Sequence, residues 1–411
     1  MTKDRDPLRN GLKKKHANLS SQGTEHEEGI GAWTDLLSVD FYRHIPTILS
    51  QPSGAVPFGS DAALNIAKAC DIAVRTSLST LIAGISIPTG YHGETLAREL
   101  ERPVLCREKI ITEHNAFKPT NRRISVTQAK RPRGVEGGRF EKLSWASSYE
   151  PDRDEVHSYA QHAHNRRVCA YHWRHDNKPR PTIVFLHGFV ASAWSLNNYF
   201  MRLEQMYHRG YDVVLTTLPH HGMRSGRGRW LSGFNYISGG IHQLNHSVVQ
   251  STFDTRYLLD YLSLNLETEK VGLCGMSLGG YTAALMAGLD SRFKFVMPIV
   301  PIVSIPDAML AWRPLDRAIK KIIADHQVDI LTLRKTMAAH SPLSFEPLLE
   351  SNKLMIVAGI GDKMAPPSHA EQLQSHWENC NIHWFRGSHV MPLERQQTLQ
   401  AKLRFFDSIG F

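Results

Sequence analysis

The sequence predicts an α/β fold, in which a mostly parallel central sheet is covered by helices on both of its faces. From about residue 140 onward, short apolar segments of strand length alternate with longer segments of helical periodicity. The segment at 182–186 carries no charge, which is typical of a strand buried on both faces. A chain of 411 residues is long enough for one large domain with extensions, or for two modest domains.

The predicted strands follow one another with helices between most of them. We expect strands at residues 140–149, 167–173, 182–186, 212–218, 270–275, 293–303, 353–359 and 381–385. We expect helices at residues 193–208, 242–266, 278–287, 368–377 and 392–406, with a helical insertion over 306–340. Because strands and helices alternate with few exceptions, right-handed crossovers should make the sheet mostly parallel.

The part of the chain before this pattern differs in composition. Residues 1–29 have few large apolar side chains, so we expect a disordered tail. Residues 30–135 are predicted to form an N-terminal helical extension and a basic linker, and residues 136–411 the main domain. In the extension, apolar residues recur at helical spacing after Asp61, a candidate N-cap. This helix is expected to pack onto the main domain; the alternative is a helix resting on a membrane surface.

The net charge of +9 would attract anionic substrates, acidic lipids or nucleic acid. The most basic stretch, residues 114–135, lacks the interleaved aromatic residues of a nucleic-acid module, so we read it as a solvated loop and expect no nucleic-acid partner. No segment reaches the roughly 20 apolar residues of a membrane span. We therefore expect no transmembrane segment, and peripheral contact with a membrane stays open as an alternative.

The five cysteines lie far apart and form no C-x-x-C pair, which argues against a disulfide framework or a cysteine metal site. His220 and His221 are adjacent, so their side chains point apart and make a poor metal pair. The first thirty residues contain no continuous apolar run of the kind found in signal peptides. We expect a cytoplasmic protein with no metal and no other cofactor.

The sharpest local motif is G-x-S-x-G at residues 275–279, between a predicted strand and a predicted helix. A serine at such a turn holds its hydroxyl outward on a strained backbone, and strand and helix approach too closely for larger side chains nearby. Gly275 and Gly279 meet that requirement. The motif therefore predicts Ser277 as a nucleophile.

A serine hydroxyl needs a base that takes its proton and an acid that orients the base. Functional groups of such sheets gather at the carboxyl ends of strands. Asp362 follows the predicted strand 353–359, and His389 follows the strand 381–385. The order Ser277, Asp362, His389 is the one expected after a G-x-S-x-G nucleophile. We predict Asp362 as the acid and His389 as the base.

Each partner has rivals in the sequence. Asp307 follows the preceding strand and could supply the acid instead of Asp362. Among the 22 histidines, three near His389 compete for the role of base, namely His369, His376 and His383. The first two lie on a predicted helix and the third inside a strand. His389 is preferred because it lies on the loop beyond a strand end.

Attack on an acyl carbonyl places negative charge on its oxygen, and backbone N–H groups usually stabilise that charge. One predicted donor is the amide of Leu278, which follows the nucleophile at a helix N-terminus. The other comes from the turn after residue 186, where Phe189 is preferred and Val190 is the alternative. The sequence thus predicts an oxyanion hole formed by Phe189 and Leu278.

Taken together, the segments 185–189, 275–280, 361–362 and 387–389 resemble the α/β-hydrolase superfamily, and the resemblance covers about residues 136–411. The loop 218–222 and the helical residues 254–262 are similar to the dienelactone hydrolase and prolyl-oligopeptidase-like branch. The resemblance implies an α/β-hydrolase fold and a serine hydrolase that forms an acyl-enzyme on Ser277, with His389 as base and Asp362 as orienting acid. It does not choose between ester, thioester, lactone and amide.

Two further segments bear on the substrate. Residues 219–253 contain no acid, and their basic side chains would suit a small acyl substrate with an anionic group. From this loop we select His221, Arg227 and Arg229 as candidate substrate contacts, against the alternative of a basic surface loop. The insertion 306–340 reads as a cap whose apolar face would cover an acyl pocket, although packing onto the core explains it nearly as well.

The function we predict is a serine hydrolase that cleaves a carboxylic ester, of the esterase or lipase type. An acyltransferase or a peptidase on the same three residues is the alternative, because they differ only in the bond cleaved or the acceptor of the acyl group. A catalytically idle binding protein is the competing class, and the complete set of three residues argues against it. The oligomeric state is left open.

Overall fold

The computed structural model describes residues 61–86, 91, 99, 120–151, 162–176, 178–226, 231–327 and 330–411. Nine strands form one sheet in the order β1-β2-β3-β5-β4-β6-β7-β8-β9. Their bounds are β1 Ser125–Gln128, β2 Arg139–Ala146, β3 Arg167–Arg174, β4 Thr182–Leu186, β5 Asp212–Thr216, β6 Val271–Met276, β7 Val296–Ile299, β8 Met355–Gly359 and β9 Asn381–Phe385. The first three strands pair antiparallel, and β3 pairs antiparallel with β5. From β5 to β9 every neighbouring pair is parallel, as the alternating pattern predicts.

The helices of the described chain lie before, between and after these strands. They are α1 Ala62–Leu81, α2 Trp194–Met201, α3 Leu203–His208, α4 Phe234–Ile237, α5 Gly240–Asp260, α6 Leu278–Ala287, α7 Ile305–Ala311, α8 Leu315–Asp325, α9 Ile330–Ala338, α10 Pro367–His376 and α11 Arg395–Ser408. None of them is both long and apolar enough to cross a membrane.

Helices cover both faces of the sheet. Because alternate residues of a strand point to opposite sides, each strand contributes side chains to the cores on both faces. In β4, Val184 and Leu186 belong to a core cluster that includes residues of α5 and α6. Ile183 and Phe185 of the same strand join a second cluster with residues of α2, α3 and α11. All five positions of β4 are buried, which confirms the prediction of a strand enclosed on both faces.

The sequence and the structure differ in two places that affect the layout. The predicted helix 193–208 is broken into α2 and α3 at Arg202, which has a left-handed φ of 65°. Strand β1 lies in residues 114–135, which were predicted to form a solvated basic loop. The sheet therefore includes residues before the predicted domain boundary at 136. All four residues of β1 are exposed, so the strand has no apolar pattern that would reveal it.

Helix α1 packs at the carboxyl ends of β8 and β9. The predicted N-cap is confirmed, because the Asp61 carboxylate accepts a hydrogen bond of 2.8 Å from the Leu64 N–H. The same carboxylate pairs with Arg386, directly after β9. Farther along, Ile82 joins an apolar cluster with Leu315 of the insertion. The remainder of the predicted extension and the predicted tail 1–29 lie largely or wholly outside the described residues.

Candidate active site

Ser277 lies in the turn between β6 and α6, with φ 54° and ψ −113°. A Cβ added to Gly275 would lie 2.0 Å from the Gly279 carbonyl oxygen, and one added to Gly279 would lie 2.2 Å from the Leu186 oxygen. Larger residues at these two positions would force strand and helix apart. The glycines of the motif therefore hold Ser277 in a strained turn at the end of the strand, as expected for a nucleophile elbow.

His389 and Asp362 meet at the ends of β9 and β8. The Nδ1 atom of His389 lies 2.7 Å from Oδ2 of Asp362, and both side chains are almost fully buried. The other oxygen of Asp362 accepts hydrogen bonds from the backbone N–H groups of Met364 (2.8 Å) and Ala365 (2.7 Å). These bonds fix the carboxylate, and the carboxylate in turn orients the imidazole with Nε2 left for another partner.

The two side chains change each other's proton affinity. Burial is the main cause that raises the pKa of Asp362, although the facing His389 acts in the opposite direction. Burial by itself would lower the pKa of His389. The charge and hydrogen bond of Asp362, with help from the charge of Asp71, outweigh that effect and raise the pKa of His389 above its ordinary 6.5.

Ser277 and His389 line one cavity of about 330 Å³. Its lining includes Phe189 and Leu278, the residues predicted to supply the oxyanion hole, and Gly188 approaches the serine closely. The amide of Leu278 belongs to the first turn of α6, where backbone N–H groups have no acceptor inside the helix. The positive end of the helix dipole adds to the attraction for a developing oxyanion.

The turn that carries Phe189 is held by His187. Its Nε2 accepts a hydrogen bond from the Leu218 N–H, and its Nδ1 lies 2.8 Å from the Gly188 carbonyl oxygen. Burial lowers the pKa of this histidine to about 4, so the ring is neutral and Nδ1 carries the proton. His187 therefore acts locally, at the end of β4.

The family model described as the alpha/beta hydrolase family matches residues 183–401, more than half of the chain. The chain belongs to the alpha/beta hydrolase family. This agrees with the superfamily resemblance and with the sheet described above.

This member of the alpha/beta hydrolase family is similar to known proteins in sequence and in fold. Two uncharacterized proteins of Mycobacterium tuberculosis, from strains CDC 1551 and H37Rv, are 29% identical over 256 residues, which is 61% of this chain. The match spans 60% of the length of these relatives. Two solved acetyl xylan esterases are similar in fold, each at 16% identity over 74% of this chain and 93% of theirs. They come from Paenibacillus sp. R4, with a TM-score of 0.53, and Thermoanaerobacterium sp. JW/SL YS485, with a TM-score of 0.51.

The rival residues for the acid and the base have other partners. Asp307 pairs with Arg334, whose Nη2 lies 2.7 Å from the carboxylate. The competing histidines bond elsewhere, with His369 accepting from the Val303 N–H, His376 near the Phe345 carbonyl and His383 near the Thr398 hydroxyl. Of the described histidines, His389 is the one that lines the cavity with Ser277.

The predicted substrate contacts are placed differently. Arg227 and Arg229 lie outside the described residues. His221 is fully buried, with Nδ1 2.7 Å from the Pro219 carbonyl oxygen, and it does not line the cavity. Burial also lowers the pKa of His221 well below its ordinary value, so its ring is neutral. The structure therefore does not bring His221 to the serine.

Arg224, in the same basic loop, stabilises the fold. Its guanidinium is buried, lies 2.8 Å from the Asp254 carboxylate, and donates to the carbonyl oxygens of Asn165 and Thr217. Replacing Arg224 with methionine should lower the free energy of unfolding by about 3–5 kcal/mol, because Asp254 would stay buried without its cation. Urea unfolding measures the loss. A loss below about 1 kcal/mol, the value of a surface ion pair, would contradict this role.

Sequence reasoning missed the contribution of α1. Val74 and Leu78 of α1 and Ile82 directly after it line the cavity, and Asp71 contacts the loop that carries His389. The spacing of Leu64, Ala67 and Asp71 puts an acid on the buried face of a helix. That signal could have flagged a buried carboxylate, although it does not identify the partner.

Proposed function

We propose that the protein is a serine hydrolase that cleaves carboxylic esters through an acyl-enzyme on Ser277. The observation that carries the proposal is the 2.7 Å contact between His389 and Asp362 beside the cavity that Ser277 also lines. A base oriented by a buried acid, next to a serine in a strained turn, is the arrangement that activates a hydroxyl.

In the first step the Ser277 oxygen attacks the ester carbonyl carbon while His389 takes the hydroxyl proton. The negative charge on the carbonyl oxygen is stabilised by the amides of Leu278 and Phe189. The tetrahedral intermediate then expels the alcohol, which receives the proton from His389. Water repeats the attack on the acyl-enzyme, with His389 again as base, and releases the carboxylic acid and the free serine.

The cavity supports an ester with an apolar acyl or alcohol part. Apart from His389, its described lining contains no charged side chain, and aliphatic or aromatic residues provide most of it. An anionic group buried there would lack a partner. Any anionic group on the substrate would therefore remain outside the cavity, so the buried part of the substrate is uncharged.

The proposal is tested with the full chain, a fluorophosphonate probe and a panel of p-nitrophenyl esters from acetate to decanoate. We expect covalent labelling, and kcat/KM should rise about fourfold for each added methylene until the cavity is filled, from about 0.8 kcal/mol per CH₂. Faster cleavage of aminoacyl amides would indicate a peptidase. Acyl transfer to an added alcohol in preference to water would indicate an acyltransferase. Absence of both labelling and turnover would contradict the proposal.

The cap insertion should set the chain length that the site accepts. Ala308 of α7 is buried against the cavity, whereas Ala311 at the end of the same helix is exposed. Replacing Ala308 with phenylalanine should fill part of the cavity and lower kcat/KM for the longest accepted ester by about tenfold, with little effect on the acetate.

The matched control is Ala311→Phe, which adds the same side chain outside the cavity. It should leave the chain-length profile unchanged. An equal loss for short and long esters in Ala308→Phe would show that the cavity does not hold the acyl chain.

A further inference from the structure

Asp71 of α1 is a carboxylate with no exposed surface, and it bonds to both loops that carry the acid and the base. Its Oδ1 accepts from the Ser388 hydroxyl (2.7 Å) and the Val390 N–H (3.0 Å). Its Oδ2 accepts from the His389 N–H and the Lys363 N–H, each at 2.9 Å. One side chain thus joins the residue after Asp362 to the backbone of His389.

Within the described part of the chain, this carboxylate has no cation as an ion-pair partner. Among the ion pairs of the described residues, none includes Asp71, so its charge is stabilised by four hydrogen bonds, three of them from backbone N–H groups. Such charge-assisted bonds are stronger than neutral ones, and a buried carboxylate is costly without them. In the arrangement that gives Asp71 these four bonds, His389 also contacts Asp362.

Helix α1 is fixed to these loops at other points as well. Arg75 donates to the Lys363 carbonyl at 2.8 Å. A Cβ added to Gly361 would lie 2.7 Å from the Leu64 side chain, so the helix packs tightly on the segment that precedes Asp362. Asp71 is therefore presented to the loops by a helix with little freedom to shift.

We propose that Asp71 is a positioning residue of the active site, which holds the loops of Asp362 and His389 in register and places a second negative charge near the imidazole. This inference rests on the proposed function for its catalytic consequence. It makes the N-terminal helix a part of the catalytic apparatus, although the helix contributes no atom that reacts.

The charged groups around the imidazole set the direction of the electrostatic effect. Asp362 and Asp71 both act on His389, while Arg202, Arg395 and Lys402 line a small second cavity to which His389 also belongs. Asp71 helps to raise the pKa of His389. Because a negative charge favours the imidazolium form, its removal should lower that pKa.

The test compares Asp71→Asn with the wild-type chain. The amide keeps the shape but offers one acceptor oxygen in place of two, so at least one of the three backbone N–H groups loses its acceptor. At the pH plateau kcat should fall by about 10²-fold with KM within about twofold, as for a small misplacement of a catalytic group. The acidic limb of kcat/KM against pH should shift to lower pH.

A second readout does not depend on turnover. The pKa of His389, measured by NMR with ¹³Cε1-labelled histidine, should be lower in Asp71→Asn than in the wild-type chain. If the wild-type chain hydrolyses no ester, the proposed function fails, and this shift still tests Asp71. An unchanged pKa together with an unchanged kcat would overturn the inference.

Asp61→Asn is the matched control, because it makes the same change on the same helix and weakens the cap and the Arg386 pair. It should leave the pKa of His389 unchanged and kcat within about twofold of the wild-type value. An equal loss in both variants would reduce Asp71 to a general anchor and overturn the inference. If Asp71→Asn does not fold, Ser388→Ala removes a single bond to Asp71 and should lower kcat by a smaller factor. An unchanged kcat in Ser388→Ala would then contradict the inference.

Discussion

Replacing Ser277 with alanine should abolish fluorophosphonate labelling and lower kcat for the best p-nitrophenyl ester by about 10⁶-fold. Without the hydroxyl no acyl-enzyme can form, and His389 has no proton to take from the nucleophile. The residual rate comes from the oxyanion donors and from binding alone. The substitution removes one oxygen from a turn that Gly275 and Gly279 shape, so the thermal midpoint should stay close to that of the wild-type chain.

Ser192→Ala is a suitable control for this experiment. Ser192 lies in the loop before α2, near the cavity but not in its lining, and its hydroxyl is 3.3 Å from that of Ser232. This variant should keep labelling and turnover. Labelling that persists in Ser277→Ala, with mass spectrometry placing the adduct on another serine, would refute the assignment of the nucleophile.

The residues proposed for catalysis were predictable because each has a local signal. The turn at Ser277 demands glycine on both sides for steric reasons, and that demand is visible in six residues of sequence. Asp362 and His389 each follow a predicted strand, and parallel strands bring their carboxyl ends to the same edge of the sheet. Neither inference needs knowledge of packing between distant segments.

The role of Asp71 could not be predicted from the sequence, because it depends on packing between distant segments. Its partners Lys363 and His389 lie 292 and 318 positions away along the chain. Only the packing of α1 on the loops reveals that its carboxylate is used there. The lining of the cavity was equally unpredictable, because α1 and the helical insertion 306–340 both line it, and no periodicity in the sequence shows that these two segments meet.

The basic loop shows a limit of reasoning from charge. A run without acids suggested a place for an anionic substrate, yet Arg224 finds its anion in Asp254, which lies just after that run. A cation with no acid near it in the sequence can form an ion pair with an acid on a following helix, as Arg224 does with Asp254 of α5. Charge counts over a window therefore say little about which side chains remain for a ligand.

Replacing Asp362 with asparagine should lower kcat by about 10⁴-fold with little change in the overall fold. The N–H groups of Met364 and Ala365 both donate to Oδ1, so the amide oxygen of the asparagine should take that position. Its NH₂ group would then face Nδ1 of His389. An imidazole that accepts at Nδ1 carries its proton on Nε2, the tautomer that cannot take a proton from Ser277.

The same substitution should move the acidic limb of kcat/KM to lower pH. Asp362 is the main group that raises the pKa of His389, so its neutral replacement favours the uncharged ring. Asp307→Asn tests the rival acid, which is paired with Arg334, and should leave kcat within about twofold while lowering the thermal midpoint. If Asp307→Asn caused the large loss of kcat and Asp362→Asn did not, the orienting acid would be Asp307.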